Sequence, residues 1–479
     1  MSISELLFFS GLMELKLFSN IPPHALSGYL DTTDIAILGR THRYFATKYF
    51  KIVSPIIKFV SSKIDYGKIL TQFPKVKFVL DFYRTGNAEV TRALYLPFLN
   101  NITSLNMPGR CYRGTADDAN SDVARMSNLT AINLSNNRDI TTETLGKLTN
   151  LVELNLYSNH RIRALEKLTK LERLDLSDNN AIDAIPAVSL RYLSLRGNTK
   201  ISPSRVSGLT ELEIGYDTKE MDVINRYTTI SELSIFPDLN RGDIPFDFRT
   251  ISRMTWLKGL TIGTFSARKI TNKEDINKLT NLTYLNLDVI DTIDISCFQQ
   301  LQTLKIGKRR SFLNKPLSEP YSNIFKKLTH LEIDMNVLDN SFLAELKVLR
   351  NLKILNSYFE GRNIDIYHLS LLTSLEIFGS DIGSFVLKDG IANRNLQRLS
   401  IDETETTLDD RIILGFPKLK YLILGNRPSL QRVRGSCFKN MDELFSVTIY
   451  DRNKFDKEIM ESLIKRGIMI HHGHKPLLD

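Results

Sequence analysis

The sequence has few of the residues from which metal sites and disulfide frameworks are built. Its three cysteines, Cys111, Cys297 and Cys437, lie far apart and form no C-x-x-C pair, which excludes a disulfide framework and a zinc knuckle. The eight histidines are scattered except for three close to the C-terminus, and three ligands without a fourth make a poor metal cage. No phosphate-binding loop or Ser/His/Asp set is present. We therefore expect no catalytic residue, no metal and no cofactor, and predict that the protein is not an enzyme.

Long apolar runs and a secretory leader are also missing. No apolar run reaches the roughly 18 residues that a membrane-spanning helix needs. The apolar cluster at residues 6–9 is flanked by Glu5 and Glu14, lacks a basic start and is too short for a secretory core. Because unpaired cysteines suit a reducing compartment, we predict a cytoplasmic protein.

Basic residues outnumber acidic ones. The chain has 63 Lys and Arg against 54 Asp and Glu, a net charge of +9 and a pI near 9.2. Such a surplus suggests nucleic acid or an acidic surface as a partner, and the position of the charges decides between these partners and others.

The chain is rich in one repeated nine-residue pattern. Three apolar positions and an asparagine, spaced L-x-x-L-x-L-x-x-N, recur four times between residues 129 and 198 and end at Asn137, Asn159, Asn179 and Asn198. This is the pattern of the leucine-rich repeat. In a short parallel strand, alternate residues face opposite sides, so the leucines enter one core. A buried asparagine at the following turn would satisfy backbone groups of its own repeat and the neighbouring one.

The apolar triplets continue beyond the four clear copies. About 16 repeats, spaced 19 to 27 residues apart, run from residue 101 to residue 450. They predict an α/β fold, a leucine-rich-repeat solenoid with a curved parallel sheet on its concave side. The asparagine lapses in the later copies, where Thr404 and Arg427 take its place, so substitutions there are expected to cost little. Ile459, Leu463 and Ile464 predict a helix, which with a last strand at 468–470 forms a C-terminal cap over 451–479.

Residues 1–50 do not follow the repeat pattern. Residues 21–22 read Ile-Pro, residues 30–35 read Leu-Asp-x-x-Asp-Ile, and residues 43–45 read Arg-Tyr-Phe. This segment resembles an F-box, although it is about one helical turn shorter than the family pattern between Pro22 and Leu30. It is similar to the divergent F-boxes of intracellular bacteria and large DNA viruses, which implies that the cytoplasm concerned is that of a host cell. The resemblance implies docking to the Skp adaptor of a cullin ubiquitin ligase through Ile21, Pro22, Leu26, Leu30, Ile35 and Leu38.

A helical cap that shields the first repeat is the alternative for this segment, because repeat arrays need capping. Residues 51–100 are expected to form a helical linker and N-terminal cap, with a degenerate first strand at 78–80.

The concave face is the usual binding face of a solenoid. Its predicted acidic residues are Glu153, Asp175, Glu211, Glu213, Glu232, Asp288, Glu332, Asp334, Glu376 and Asp402. Its predicted basic residues are Arg173, Arg196, Lys305 and Arg398. A face of net charge −6 would repel nucleic acid, which leaves the basic surplus on other surfaces. A merely solvated sheet is the alternative.

Aromatic residues in the later repeats suggest where a partner docks. Large rigid side chains exposed on a sheet can carry much of a binding energy, although such rings can also simply cover neighbouring strands. The predicted partner-binding residues are Tyr358, Glu376, Phe378, Asp402, Tyr421 and Tyr450.

The sequence therefore predicts an adaptor that recruits a target protein with a basic surface to a ubiquitin ligase. The alternative is a non-enzymatic protein-binding scaffold or inhibitor with no ubiquitin connection. Nucleic-acid binding through the convex face is a weaker third reading.

Overall fold

The structure of the protein is a computed structural model. The contacts within the chain divide it into two compact units, Met1–Leu212 and Glu213–Asp479. The structure describes residues 56–59, 65–72, 74–82, 91–112, 114–203, 206–216, 221–237, 246–263, 270–287, 297–307, 325–334, 337–359, 361, 363–380, 382–404, 406–425, 433–449 and 457–472. The six residues predicted to bind a Skp adaptor, Ile21, Pro22, Leu26, Leu30, Ile35 and Leu38, lie outside the described residues. The predicted division into residues 1–50, 51–100, 101–450 and 451–479 stays a prediction.

The first unit is built on a parallel sheet with one strand per repeat. Each strand pairs in register with the next one along the chain. The strands are β1 (Ile56–Lys58), β2 (Lys77–Asp81), β3 (Ile102–Asn106), β4 (Ala131–Asn133), β5 (Glu153–Asn155), β6 (Arg173–Asp175) and β7 (Tyr192–Leu195). The helices are Tyr66–Gln72, Arg92–Tyr95, Ala116–Arg125 and Thr142–Leu145, with a 3-10 helix at Leu96–Asn101. The division between the units falls within β8 (Glu211–Gly215).

The apolar positions of the repeat form the core of this unit, as predicted. Leu154, Leu174 and Leu193 occupy one register position in adjacent strands and are all buried. Because a strand sends alternate side chains to opposite sides, the leucines fill the space behind the sheet while the residues between them face solvent.

The asparagine ladder is present in all four clear repeats. The Asn159 amide donates to the Leu134 carbonyl of the preceding repeat at 2.8 Å. Its side-chain oxygen accepts the backbone N–H groups of Arg161 and Ile162 at 2.9 and 3.1 Å. Asn137, Asn179 and Asn198 are buried in the same way and donate to the preceding repeat. The ladder thus pairs backbone groups that would otherwise be buried without partners.

The turn before each ladder asparagine has left-handed backbone geometry. The residues there have φ values of 55°, 51°, 52° and 67°. They are Asn136, Ser158, Asp178 and Gly197. Glycine is needed most at the last of these, where an added Cβ would lie 2.0 Å from the Asp178 carboxylate.

The sheet begins earlier than the sequence predicts. Residues 78–80 form the expected strand, within β2, but Ile56 and Ile57 lie in the strand β1, where a helical linker is expected. The expectation of a helical linker over 51–100 is therefore wrong for β1, although two helices lie in that range. Ile56 and Ile57 are both β-branched and therefore also suit a strand. Pairing with β2 stabilises the strand over the helix.

The helix Ala116–Arg125 is held against the helix Arg92–Tyr95 by one buried carboxylate. Asp122 accepts the Arg92 guanidinium Nε and Nη2 at 2.8 and 2.7 Å and the hydroxyls of Tyr95 and Tyr112 at 3.2 and 3.0 Å. With four donors, this buried charge is fully paired, so the cluster is structural.

The second unit also contains a parallel sheet with one strand per repeat. Its strands are β9 (Glu232–Phe236), β11 (Gly259–Ile262), β13 (Tyr284–Leu287), β14 (Thr303–Ile306), β15 (His330–Asp334), β17 (Asn351–Leu355), β20 (Ser374–Phe378), β22 (Arg398–Asp402), β23 (Tyr421–Leu424), β24 (Ser446–Ile449) and β25 (Met469–His472). Short parallel pairs are β10 (Phe246–Asp247) with β12 (Ile270–Thr271), β16 (Val337–Leu338) with β18 (Tyr358–Phe359), and β19 (Asn363–Ile364) with β21 (Ser384–Phe385). The α-helices are Asn340–Ala344, Asp410–Leu414 and Lys457–Lys465; the 3-10 helices are Met221–Arg226, Phe248–Thr250, Lys273–Lys278 and Ser436–Asn440.

Each unit is therefore a leucine-rich-repeat solenoid, as the sequence predicts. The predicted C-terminal helix and last strand are present, with Leu463 buried and Ile464 64% exposed. In the described ranges, no helix combines the length and apolar character needed to cross a bilayer.

In part of the second unit, other buried polar residues stand in for the ladder asparagine. Thr404 stands at the ladder position, is buried and accepts the Thr406 backbone N–H at 2.8 Å, so the expectation that a change there costs little is wrong. Arg427 lies outside the described residues. Asn393, three residues before the repeat's first leucine, is fully buried and donates to the carbonyls of Ile366 and Leu369 at 2.8 and 3.0 Å. In these repeats a hydroxyl and a displaced amide thus pair buried backbone groups, as the asparagines do in the first unit.

Candidate functional site

The solvent-facing side of the strands, here called the strand face, carries two rows of side chains in the first unit. Both rows run across the strands because the strands pair in register. The first row is Ser104, Ala131, Glu153, Arg173 and Tyr192. The second row is Asp81, Asn106, Asn133, Asn155, Asp175 and Ser194.

The second row is polar throughout and partly bonded to itself. The buried Asp81 carboxylate accepts the Asn106 amide at 2.9 Å, and the Asn106 oxygen accepts the Asn133 amide at 2.9 Å. The chain of amides stops at Asn133, whose oxygen accepts the Ser135 backbone N–H at 2.9 Å and receives no hydrogen bond from Asn155 in the described part of the chain. The Asn155 oxygen accepts the Tyr157 backbone N–H at 2.8 Å. The Asn155 NH₂ group is therefore left to face the solvent.

Arg173 does not form an ion pair with Glu153, the acid opposite it on the neighbouring strand. Glu153 is its register partner, yet the Arg173 guanidinium lies 3.1 Å from the Glu211 carboxylate and 4.2 Å from the centre of the Tyr192 ring. Arg191 lies 3.8 Å from the same Glu211 carboxylate. Arg173 is thus paired on the far side, with a carboxylate that Arg191 shares, while Glu153 is exposed and has no ion-pair partner in the described part of the chain.

These two rows line a groove of about 370 Å³ on the strand face. The floor of the groove is formed by small side chains, Ser104 and Ala131, on β3 and β4. Larger side chains, Arg173 and Tyr192, line it on β6 and β7. Polar side chains supply most of its lining, namely Ser104, Asn106, Asn133, Glu153, Asn155, Arg173, Asp175 and Tyr192. Glu153, Asp175 and the Asn155 amide offer hydrogen-bonding capacity that the fold does not fully use.

The structure does not gather the predicted partner-binding residues into one cluster. Tyr358 is 47% exposed but lies in β18, which pairs with β16 and not with the main sheet. The left-handed backbone at Asn356, with φ of 44°, ends β17 and carries the chain off the strand face before Tyr358. The prediction that Tyr358 lies on the concave sheet is therefore wrong.

The other predicted residues are on the main sheet but engaged or separated. Glu376 lies 3.4 Å from Arg398, and Asp402 is buried and accepts the Glu403 backbone N–H at 2.8 Å. Phe378 and Tyr421 are half-buried on strands that β22 separates. The Tyr421 ring packs edge-on against Phe445, with centroids 5.7 Å apart. Tyr450 lies outside the described residues.

Two acids on the strand face of the second unit, Glu332 and Glu376, are paired by neighbouring bases, whereas Glu232 is exposed and has no ion-pair partner in the described part of the chain. Glu332 lies between Lys305 and Lys353, at 3.2 and 3.6 Å, and Lys353 was missing from the predicted list of basic residues. Asp288 lies outside the described residues. The predicted charge of −6 therefore overstates the free negative charge of this face.

Neither a metal site nor a reactive thiol is evident in the described part of the chain. No group of three His, Cys, Asp or Glu residues there is placed to hold a metal ion. Burial raises the pKa of the Cys111 thiol to about 11. Burial, and then the neighbouring Asp410 carboxylate, raise the pKa of Cys437. These two thiols are protonated near neutral pH and are weak nucleophiles.

Comparison with known proteins does not assign the chain to a protein family. No family model and no curated protein matches the chain. Among solved structures, the mouse RP105/MD-1 complex is similar with 16% identity, a TM-score of 0.45, and coverage of 88% of this chain and 77% of that chain. The TLR13–ssRNA13 complex has 16% identity and a TM-score of 0.42, with coverage of 88% and 65%. The functional domain of InlJ from Listeria monocytogenes has 20% identity and a TM-score of 0.33, with coverage of 73% of each chain.

The chain thus spans about two thirds of the length of the TLR13 chain. These likenesses carry no argument about the site. The chain is a leucine-rich-repeat protein by its own repeated strands, buried leucines and asparagine ladder.

Sequence reasoning missed Asn155 and Tyr192. The signal was available, because the residue between the last two apolar positions of successive repeats is Asn106, Asn133, Asn155 and Asp175. An uninterrupted run of amides and an acid at one solvent-facing position marks a polar row.

Proposed function

We propose that the chain is a non-enzymatic protein-binding scaffold and that the groove of the first unit is its binding surface. The proposal is supported by the concentration of unpaired polar groups in the groove. In the second unit, acids such as Glu332 and Glu376 are paired by neighbouring bases. In the groove, Glu153 has no such partner in the described part of the chain, and Asn155 leaves its amide donors open. A partner could satisfy these groups without breaking contacts that stabilise the fold.

The test is to fill the groove. Ala131 forms part of its low floor and is half-exposed, so Ala131→Trp would occupy the space without entering the core. We expect proteins captured from cell extract by the tagged full chain to fall by about tenfold or more, because the contact surface is blocked. Quantitative mass spectrometry measures the capture.

Ser374→Trp is the matched control, because Ser374 is half-exposed at the equivalent position on the strand face of the second unit. It should leave capture unchanged, and both variants should keep the melting temperature of the parent. Loss with Ser374→Trp alone would place the site near Phe378 and Tyr421, where the sequence predicted it.

We further propose that residues 1–50 dock the Skp adaptor of a cullin ubiquitin ligase, which would make the scaffold a substrate-recruiting adaptor. The support for this finer function is the F-box-like sequence pattern alone. If it is right, the protein held by the groove would be the target for ubiquitination.

Purified Skp adaptor provides the test. Leu26→Asp combined with Ile35→Asp should abolish co-purification with the adaptor, because each buried apolar side chain contributes roughly 1.5–3 kcal/mol to such an interface. Co-purification that survives the double substitution would leave the scaffold without a ubiquitin connection.

A further inference from the structure

The groove on the first unit's strand face has the dimensions of a short extended peptide. From Ser104 to Tyr192 it crosses five strands, and neighbouring strands lie about 4.8 Å apart, which gives a length of roughly 19 Å. An extended chain advances about 3.3 Å per residue, so roughly six residues fill it.

Its charges are arranged asymmetrically. The one cation of the first row, Arg173, is paired with Glu211, a carboxylate that it shares with Arg191, and is stacked on Tyr192. Glu153 carries no ion pair in the described part of the chain, and only one oxygen of Asp175 accepts a hydrogen bond, from the Ser177 backbone N–H at 2.9 Å. The open part of the groove is therefore negative although its residue types look balanced.

Glu153 and Asp175 lie on adjacent strands and are offset by two residues. With parallel strands about 4.8 Å apart and a rise of about 3.3 Å per residue, the backbones of these two residues lie roughly 8 Å apart, a gap that one guanidinium or ammonium group can bridge between the two carboxylates. Asn155, directly beside Asp175 in register, offers its amide N–H groups to a peptide carbonyl. The side chain and the main chain of one segment would thus both find partners.

We propose that the groove holds an extended segment of about six residues with a basic side chain placed between Glu153 and Asp175. This inference rests on the proposed function and specifies the chemistry of the partner. Arg173 and Tyr192 act as the wall of the groove, held in place by Glu211, and close it on the side where a basic residue would be repelled.

The probe is a labelled hexapeptide with one central arginine, compared with the same peptide in which citrulline replaces that arginine. Citrulline keeps the shape and removes the charge. With the full chain, fluorescence anisotropy should show about tenfold weaker binding of the citrulline peptide, since two exposed ion pairs are lost. Raised salt should narrow the difference, because exposed charges are screened.

Glu153→Gln with Asp175→Asn should weaken binding of the arginine peptide by about the same factor. The matched control is Glu376→Gln in the second unit, whose carboxylate is already paired with Arg398 and whose loss should leave binding unchanged. Equal binding of both peptides, or full binding by the double variant, would overturn the inference.

The Ala131→Trp variant separates the two proposals. If it abolishes capture of cell proteins while arginine and citrulline peptides bind alike, the groove is a binding surface and only its cation preference is wrong. If it leaves both capture and peptide binding intact, the groove is not the binding surface and both proposals fail.

Discussion

At the scale of single residues, the asparagine ladder shows how one polar side chain stabilises a repeat. Asn159 joins a carbonyl of the preceding repeat to two N–H groups of its own turn. Because all three backbone groups lose access to water, removing the amide leaves them without partners. The cost is that of unsatisfied buried groups, not merely that of lost bonds.

Asn159→Ala should therefore lower the free energy of unfolding by about 1–3 kcal/mol. Asn150→Ala is the matched control, because the Asn150 amide donates to the Ser127 carbonyl at an exposed site where water can replace it. Its effect should stay within about 0.5 kcal/mol. Urea unfolding measures both, and equal losses would mean that burial of the ladder has no special importance.

At the scale of elements, one carboxylate joins neighbouring repeats near the C-terminal end. Asp410, in the helix Asp410–Leu414, accepts the backbone N–H groups of Arg434, Gly435 and Ser436, each at 2.9 Å. These N–H groups lead into the 3-10 helix Ser436–Asn440, so the carboxylate fixes where that helix begins. Such donors would otherwise lack partners at a helix start.

These hydrogen bonds also govern how Asp410 titrates. Burial by itself would raise the pKa of Asp410, but the hydrogen bonds from the Ser436 hydroxyl and the Gly435 N–H outweigh it and hold the pKa below the ordinary value of 3.8. A lowered pKa in the folded state adds stability that is fully present above the ordinary value. That stability is lost as the pH falls through the folded-state pKa.

Asp410→Asn should accordingly destabilise the protein by about 1.5–3 kcal/mol near neutral pH. The difference from the parent should shrink as the pH falls below 3.8, because the parent carboxylate then takes up a proton. Exposed Asp442 supplies the control, since Asp442→Asn removes the same charge without touching the turn. A difference that stays constant down to acidic pH would contradict this role.

At the scale of the whole molecule, the distribution of charge matters more than its sum. The net charge of +9 suggests an acidic partner, whereas the residues predicted for the concave face suggest a basic one. Cross-strand pairing changes the charge expected for the concave face, because Glu332 and Glu376 are neutralised by bases on adjacent strands. Free negative charge remains at Glu153 and Asp175 in the groove and at Glu232 in the second unit.

The periodicity of the sequence predicts the repeat, the strands of the clear repeats, the buried leucines and the ladder asparagines, although not β1, because each follows from local spacing and from the need to pair buried backbone groups. It also located the C-terminal cap through its amphipathic helix. These features depend on neighbours a fixed number of residues apart, so a linear pattern records them.

Tertiary structure alone decided which polar groups are free. That Arg173 turns to Glu211 and Tyr192, and not to Glu153, depends on residues from three other strands. That Tyr358 leaves the main sheet depends on one left-handed residue before it. Side-chain direction and cross-strand pairing are set by residues distant in the chain, and no periodicity in the sequence encodes them. For that reason, the sequence predicts the repeat but does not predict which polar groups of the groove stay unpaired.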